Sequence, residues 1–187
     1  DLSDALMVKV GDQQFAVPLS QIDRIVRISP AALEEYFETQ NDYFDIDFQS
    51  YKLRYLGEFT SNQVTPRLHG LAHSLPVLLI KGSLGQSIAI LVDQLIGSRS
   101  QIVVKPIGKQ FATINAIAGA TILGDGQVCL ILDGQNIARQ VQASTRGSAE
   151  HLQHDKQRHR DQRRLIMIVD DSVTVRKVRS EERRVGK

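Results

Sequence analysis

Short runs of Val, Ile and Leu, each closed by Gly, Pro, Asn or Asp, recur from Leu75 to Asp133. Runs of this length are too short for independent helices and too rich in β-branched residues to favour them, so they predict buried strands. LPVLLIK and QSIAILVD predict two strands around a Gly82-Ser83-Leu84-Gly85 turn. SQIVVKPI predicts another, ended by Lys105-Pro106, because proline donates nothing to a ladder. AGATIL and QVCLILD predict a hairpin around Gly124-Asp125-Gly126. Gly97-Ser98-Arg99, like Lys105-Pro106, reads as a corner between strands.

Upstream, Leu6–Val10 and Gln14–Pro18 predict a hairpin turning at Gly11-Asp12, and Leu19–Ile28 a turn followed by a strand. Leu33, Tyr36 and Phe37 fall on one face of a short helix in AALEEYFETQ. Asp42–Tyr55 alternates as two strands, YFDIDFQS and YKLRYLG, meeting near Gln49-Ser50. The expectation is a mainly β fold of eight to ten short strands with little helix, as a sandwich or as one or two small closed barrels.

Residues 140–164 break the pattern. They are rich in Arg, Gln, Asp and His with hardly an apolar anchor, and such a segment buries too little to offset the entropy of ordering. It reads as a flexible, basic, His-rich linker. An apolar run then opens abruptly, LIMIVDDSVTVRKV, in which Leu165–Val169 predicts a buried strand and Ser172 the cap of a following helix. Asp170 and Asp171 stand at the carboxyl end of that strand, where open α/β sheets hold their ligands, and a carboxylate pair suits Mg²⁺.

The chemistry elsewhere is sparse. The 187 residues are 42% hydrophobic and contain no Trp, which predicts an aliphatic core. With 23 basic and 21 acidic side chains, the net charge of +2 argues only weakly for nucleic acid or membrane. The cluster Arg158–Arg164 keeps one alternative open, a small β-barrel binding nucleic acid through a basic arm, although few aromatics are present for base stacking. Cys129, the single cysteine, reads as a small buried residue and fits a reducing cytoplasm. No apolar run approaches the ~20 residues of a membrane span, and no signal peptide is legible. Asp42, Asp45 and Asp47 lack the spacing and glycine of a calcium loop and read as an exposed strand face. His69 and His73 lack the glutamate of a zinc-protease helix, and Asp125 lacks the lysine of a phosphate loop, so these read as loop and turn residues. No Ser-His-Asp or Cys-His arrangement is apparent.

ILVDQLIGSRSQIVVKPIG, continued by IAGATILGDGQVCLILD, closely resembles the CheW-like regulatory domain at the end of CheA-type chemotaxis histidine kinases, and LMVKVGDQQFAVPLSQIDRIVRI resembles its opening strands. RLIMIVDDSVTVRKV resembles the first strand and helix of a response-regulator receiver. The order is similar to that of the hybrid chemosensory kinases of type IV pili and twitching motility. The resemblance implies two small SH3-like β-barrels over residues 1–139, a linker over 140–164 and the first β-α unit of a truncated α/β receiver over 165–178. It implies a cytoplasmic, non-catalytic coupling module, cofactor-free, docking on a chemoreceptor signalling tip, a CheW-type coupling protein and the kinase's ATP-binding domain within a phosphorelay. The parent would be a protein-histidine kinase; no nucleic acid and no membrane insertion are implied. For an intact receiver it implies Mg²⁺ on Asp170 and Asp171, with the phosphoacceptor absent from this chain.

Two features depart from the family. The Asn-Leu-Arg-Gly motif of single-domain CheW proteins has its nearest match in Arg54-Tyr55-Leu56-Gly57, which puts Leu56 at the arginine position. Residues 30–47 lack a clear counterpart in those smaller proteins. The start at Asp1 rather than Met suggests a fragment, and RSEERRVGK (179–187) resembles the translation of a sequencing adapter.

Overall fold

The computed structural model describes residues 2–61, 63–106, 116–146 and 166–167. β1 (Leu2–Val10) turns through Gly11-Asp12 into β2 (Gln13–Pro18), antiparallel from Ala5 opposite Pro18 to Val10 opposite Gln13. A 3-10 turn at Leu19–Gln21 leads into β3 (Ile22–Ile28). Helix α1 (Pro30–Glu38) begins at Ser29, whose hydroxyl accepts a hydrogen bond from the Ala32 amide at 3.3 Å. Pro30 sits in the first turn, where its missing N–H would have no helical partner anyway. Then come β4 (Tyr43–Ile46), β5 (Gln49–Tyr55), the single turn α2 (Gly57–Thr60), β6 (Leu75–Lys81), β7 (Ser87–Leu91) and β8 (Gln94–Val103). The two-residue β9 (Lys105–Pro106), β10 (Ile117–Ile122), β11 (Val128–Leu132) and α3 (Gly134–Ala143) complete the order.

These strands form two sheets, ordered β8-β1-β2-β11-β10-β9 and β3-β6-β7-β5-β4. The first joins the two ends of the domain through the parallel pair β2–β11, with Leu130 opposite Phe15. The second is inserted between β2 and β8. Both sheets curl. In the first, the edge strands β8 and β9 are separated along the chain by Val104 alone. In the second, Arg24 on edge strand β3 reaches Asp47, beside the opposite edge strand β4, at 2.6 Å. The expected mainly β fold is present as two curled sheets.

Burial explains why the apolar runs are continuous rather than alternating. Along β1, Leu6, Val8 and Val10 enter the main core while Ala5 and Met7 enter a smaller one with Ala16, Ile102, Cys129 and Ile131. A strand covered on both faces needs apolar residues at every position. Burial pushes the Cys129 thiol up to about 12. Ile137, Ala138 and Val141 of α3 pack among β5, β6 and β7. Asp93 ties the sheets together: its carboxylate accepts from the Gly11 amide and the Tyr55 hydroxyl, each at 2.7 Å, and its own amide donates to Lys9 O at 3.1 Å.

Four expectations change. Residues 140–143, expected to begin the linker, complete α3, where Val141 is fully buried. Gly97-Ser98-Arg99 is not a corner but lies inside β8. Met7 faces Gly97 while Val8 faces Leu95, so Ile96 is the extra residue of a bulge. Gly97 has φ +150°, which only glycine adopts readily. The β4–β5 turn falls at Asp47-Phe48 rather than Gln49-Ser50, with φ of 47° and 66°. Of the run expected to open a receiver, the structure describes Ile166 and Met167; both are helical, and Ile166 packs against the main core. The remainder of 165–178, with Asp170 and Asp171, lies outside the described residues.

Candidate interaction surface

The most exposed large apolar side chains on the second sheet sit at its turns. Phe48 and Leu84 are 108% and 100% exposed, and both have left-handed backbones, with φ of 66° and 60°. β5 and β7 run parallel with Leu53 opposite Ala89, a register that carries back to Gln49 beside Gly85. The β4–β5 turn with Phe48 and the β6–β7 turn with Leu84 therefore stand at one end of the sheet. Between them opens a polar cleft of about 600 Å³ lined by Tyr43, Gln49, Lys52, Gln86 and Gln142 among others. A bulky apolar residue held in an unfavourable backbone region without burial contributes little to the fold by itself, which makes this end the candidate contact surface.

Behind the cleft lies a partly buried ionic group. Arg54 on β5 is 1% exposed, and its Nη1 donates to Asp42 Oδ1 at 2.5 Å while its Nε stands 3.5 Å from Glu58 Oε2. Its Nη2 donates to Ser144 O at 3.2 Å, and Lys52 Nζ donates to Gln142 O at 3.1 Å. Cations thus meet the carbonyls that the end of α3 leaves unpaired. The next residues lock onto α1. The Arg146 amide donates to Asp42 Oδ1 at 3.2 Å. Its guanidinium lies 4.0 Å from the Tyr36 ring centre and donates to the carbonyls of Tyr36, Thr39 and Asn41 at 3.0, 2.6 and 2.5 Å. Burial raises the Tyr36 hydroxyl pKa above its ordinary value, with nearby Arg146 and Arg54 opposing.

Asp42 is the exception among the three acids expected on an exposed face. Asp45 and Asp47 are exposed, whereas the Asp42 side chain is 13% exposed and paired. His69 and His73 are exposed loop residues, and Asp125 accepts from the Gln127 amide at 3.0 Å inside its own turn. Leu56 is fully buried, so a side chain there reaches no partner. Among the described residues no group of three or more His, Cys, Asp or Glu is placed to hold a metal, and no helix is long and apolar enough to cross a membrane. The basic cluster Arg158–Arg164 lies outside the described residues. Sequence reasoning missed Phe48, Leu84 and the Arg54–Asp42 pair; the available signal was a single large apolar residue flanked by polar turn residues, in Asp47-Phe48-Gln49 and Ser83-Leu84-Gly85.

Residues 4–142 match the CheW-like domain. The chain belongs to the CheW-like domain family. The chain is 28% identical over 185 residues, covering 93% of its length and 21% of the relative, to the sensor histidine kinase CheAY of Helicobacter pylori. It is 30% identical over 133 residues to the chemotaxis protein CheA of Treponema pallidum, covering 68% of this chain and 15% of that protein. The chain thus spans about a fifth or less of the length of these curated relatives. The scaffolding protein TtCheW of Thermoanaerobacter tengcongensis superposes with a TM-score of 0.54, covering 72% of this chain and 86% of that one at 11% identity. That likeness establishes the CheW-like fold alone. The expectation of a nucleic-acid-binding barrel finds no support in these comparisons.

Proposed function

We propose that the CheW-like domain of this chain is a non-catalytic coupling module of a chemotaxis-type hybrid histidine kinase. It docks on a chemoreceptor signalling tip and a CheW-type coupling protein, and passes the receptor signal to the kinase's ATP-binding domain. The observation that carries the reading is the pairing of family membership with an exposed apolar turn end, Phe48 and Leu84, on an otherwise well-filled β scaffold. Contact surfaces of this kind recognise partners by apolar anchors within a polar rim. The setting is a cytoplasmic signalling array.

The parent is read as a protein-histidine kinase, after the relatives' names, with the phosphoryl chemistry outside this segment. The match to CheAY covers 93% of the chain and so runs past residue 142, which supports a further domain shared beyond the linker. That domain is read as a receiver, in which Asp170 and Asp171 would supply oxygen ligands to Mg²⁺. The order of domain, linker and receiver favours the type IV pilus branch of these systems. Co-precipitation of this chain with a receptor signalling tip and with an isolated ATP-binding domain tests the reading. Capture of both is expected; capture of neither would overturn it.

A further inference from the structure

A groove of about 570 Å³ runs between α1 and the loop that follows α2, lined by Glu34, Phe37 and Glu38 on one side and Pro66, Arg67 and Leu68 on the other. Pro66 and Leu68 are buried, so the floor is apolar, while Glu34 and Glu38 stand exposed along the helix rim. Neither glutamate is used by the ionic group around Asp42. Arg146, the last described residue before 147–164, is anchored on this same helix: its guanidinium lies 5.4 Å from the Phe37 ring centre, and Phe37 also lines the groove. The chain therefore leaves the domain at the groove's wall. The segment it enters carries Lys156, Arg158, Arg160, Arg163 and Arg164.

We propose that this groove is the docking site for the chain's own basic segment, residues 147–164, with its cations against Glu34 and Glu38. Reach is ample. Lys156 is ten residues beyond Arg146, and an extended chain of that length spans roughly 33 Å, against about 14 Å for the nine residues of α1. Tethering makes weak pairing sufficient, because a short linker holds the two groups at high effective concentration. Arg67 on the far rim is complementary in charge to Asp155 and Asp161 of the same segment. The inference stands apart from the partner reading above and concerns only this chain.

The test is the rate of tryptic cleavage after Lys156 in the full chain at about 20 mM salt, where exposed charges are weakly screened. Each rate is divided by that of the free 147–164 peptide of the same sequence. Wild type is expected to be protected about fivefold, the order that two exposed ion pairs supply. Glu34→Gln/Glu38→Gln and Arg158→Gln/Arg160→Gln should each lose that protection, and combining them should add nothing, since both remove one interaction. Cleavage of wild type at the free-peptide rate would overturn the proposal, as would unchanged protection in Glu34→Gln/Glu38→Gln. Protection that grows with protein concentration would also overturn it, assigning the groove to the segment of a second copy.

Discussion

Asp42 offers the sharpest test of how the domain's edge is held. Its carboxylate faces Arg54 Nη1 at 2.5 Å, Lys52 Nζ at 3.8 Å and the Arg146 amide at 3.2 Å. Arg54 is 1% exposed and cannot turn to water when that partner is lost. Removing one member of a buried pair costs about 3–5 kcal/mol, because the other charge stays buried. Glu58 still stands 3.5 Å from Arg54 Nε, and the Asp42 side chain keeps 13% of its exposure, so the lower end applies. Asp42→Ala should therefore lose about 3 kcal/mol, and Asp42→Asn, which retains an acceptor, about half of that. Urea unfolding with an unchanged slope would read the loss directly, and thermal unfolding should show Tm lower by roughly 9 °C for the alanine variant. Arg54→Met should cost at least as much, because it takes the cation from both Asp42 and the buried Glu58, and the double variant Asp42→Ala/Arg54→Met should cost less than the sum of the two losses. A loss below about 0.5 kcal/mol, or strict additivity in the double variant, would refute the reasoning.

Phe48→Gly should raise stability by about 1 kcal/mol, because the left-handed turn no longer strains a Cβ, while weakening partner capture; a binding assay alongside urea unfolding separates the two. Leu56→Arg, which would restore the family's residue type, should destabilise by at least about 3 kcal/mol, since Leu56 is fully buried; a folded variant of wild-type Tm would contradict the burial. The Cys129 thiol is raised by burial from 9.0 to about 12, so the folded state keeps its proton where the unfolded chain loses it. Its contribution is present below pH ~9 and lost as pH rises from there toward ~12, and Cys129→Ala should flatten that alkaline decline in urea midpoints.

Strands and turns were legible where both faces of a sheet are buried or where glycine marks the reversal. LPVLLIK and QVCLILD are apolar at almost every position because both faces are buried, and Gly11 and Gly126 place the turns of the β1–β2 and β10–β11 hairpins. Gly97 misled for a physical reason: the residue that permits a turn also permits a bulge, and the choice is made by pairing with β1, which lies far off in sequence. The Asp47-Phe48 turn carries no glycine and was shifted by two residues accordingly. Asp42, Asp45 and Asp47 look alike in sequence, and only the arrival of Arg54 and Arg146 from distant segments sets Asp42 apart. The contact surface was expected on the scaffold's outside, yet its position depends on the parallel register of β5 and β7, which no local pattern encodes.

The central claim is that the turn end bearing Phe48 and Leu84 meets the coupling partner. Equilibrium binding of this chain to a CheW-type coupling protein tests it most directly, for wild type and for Phe48→Ser/Leu84→Ser. Both side chains lie outside the core, so the variant should unfold at or above the wild-type midpoint. Measurable wild-type binding that weakens at least about tenfold in the variant is the expected result. Equal affinity for wild type and variant, or no wild-type binding, would contradict the account.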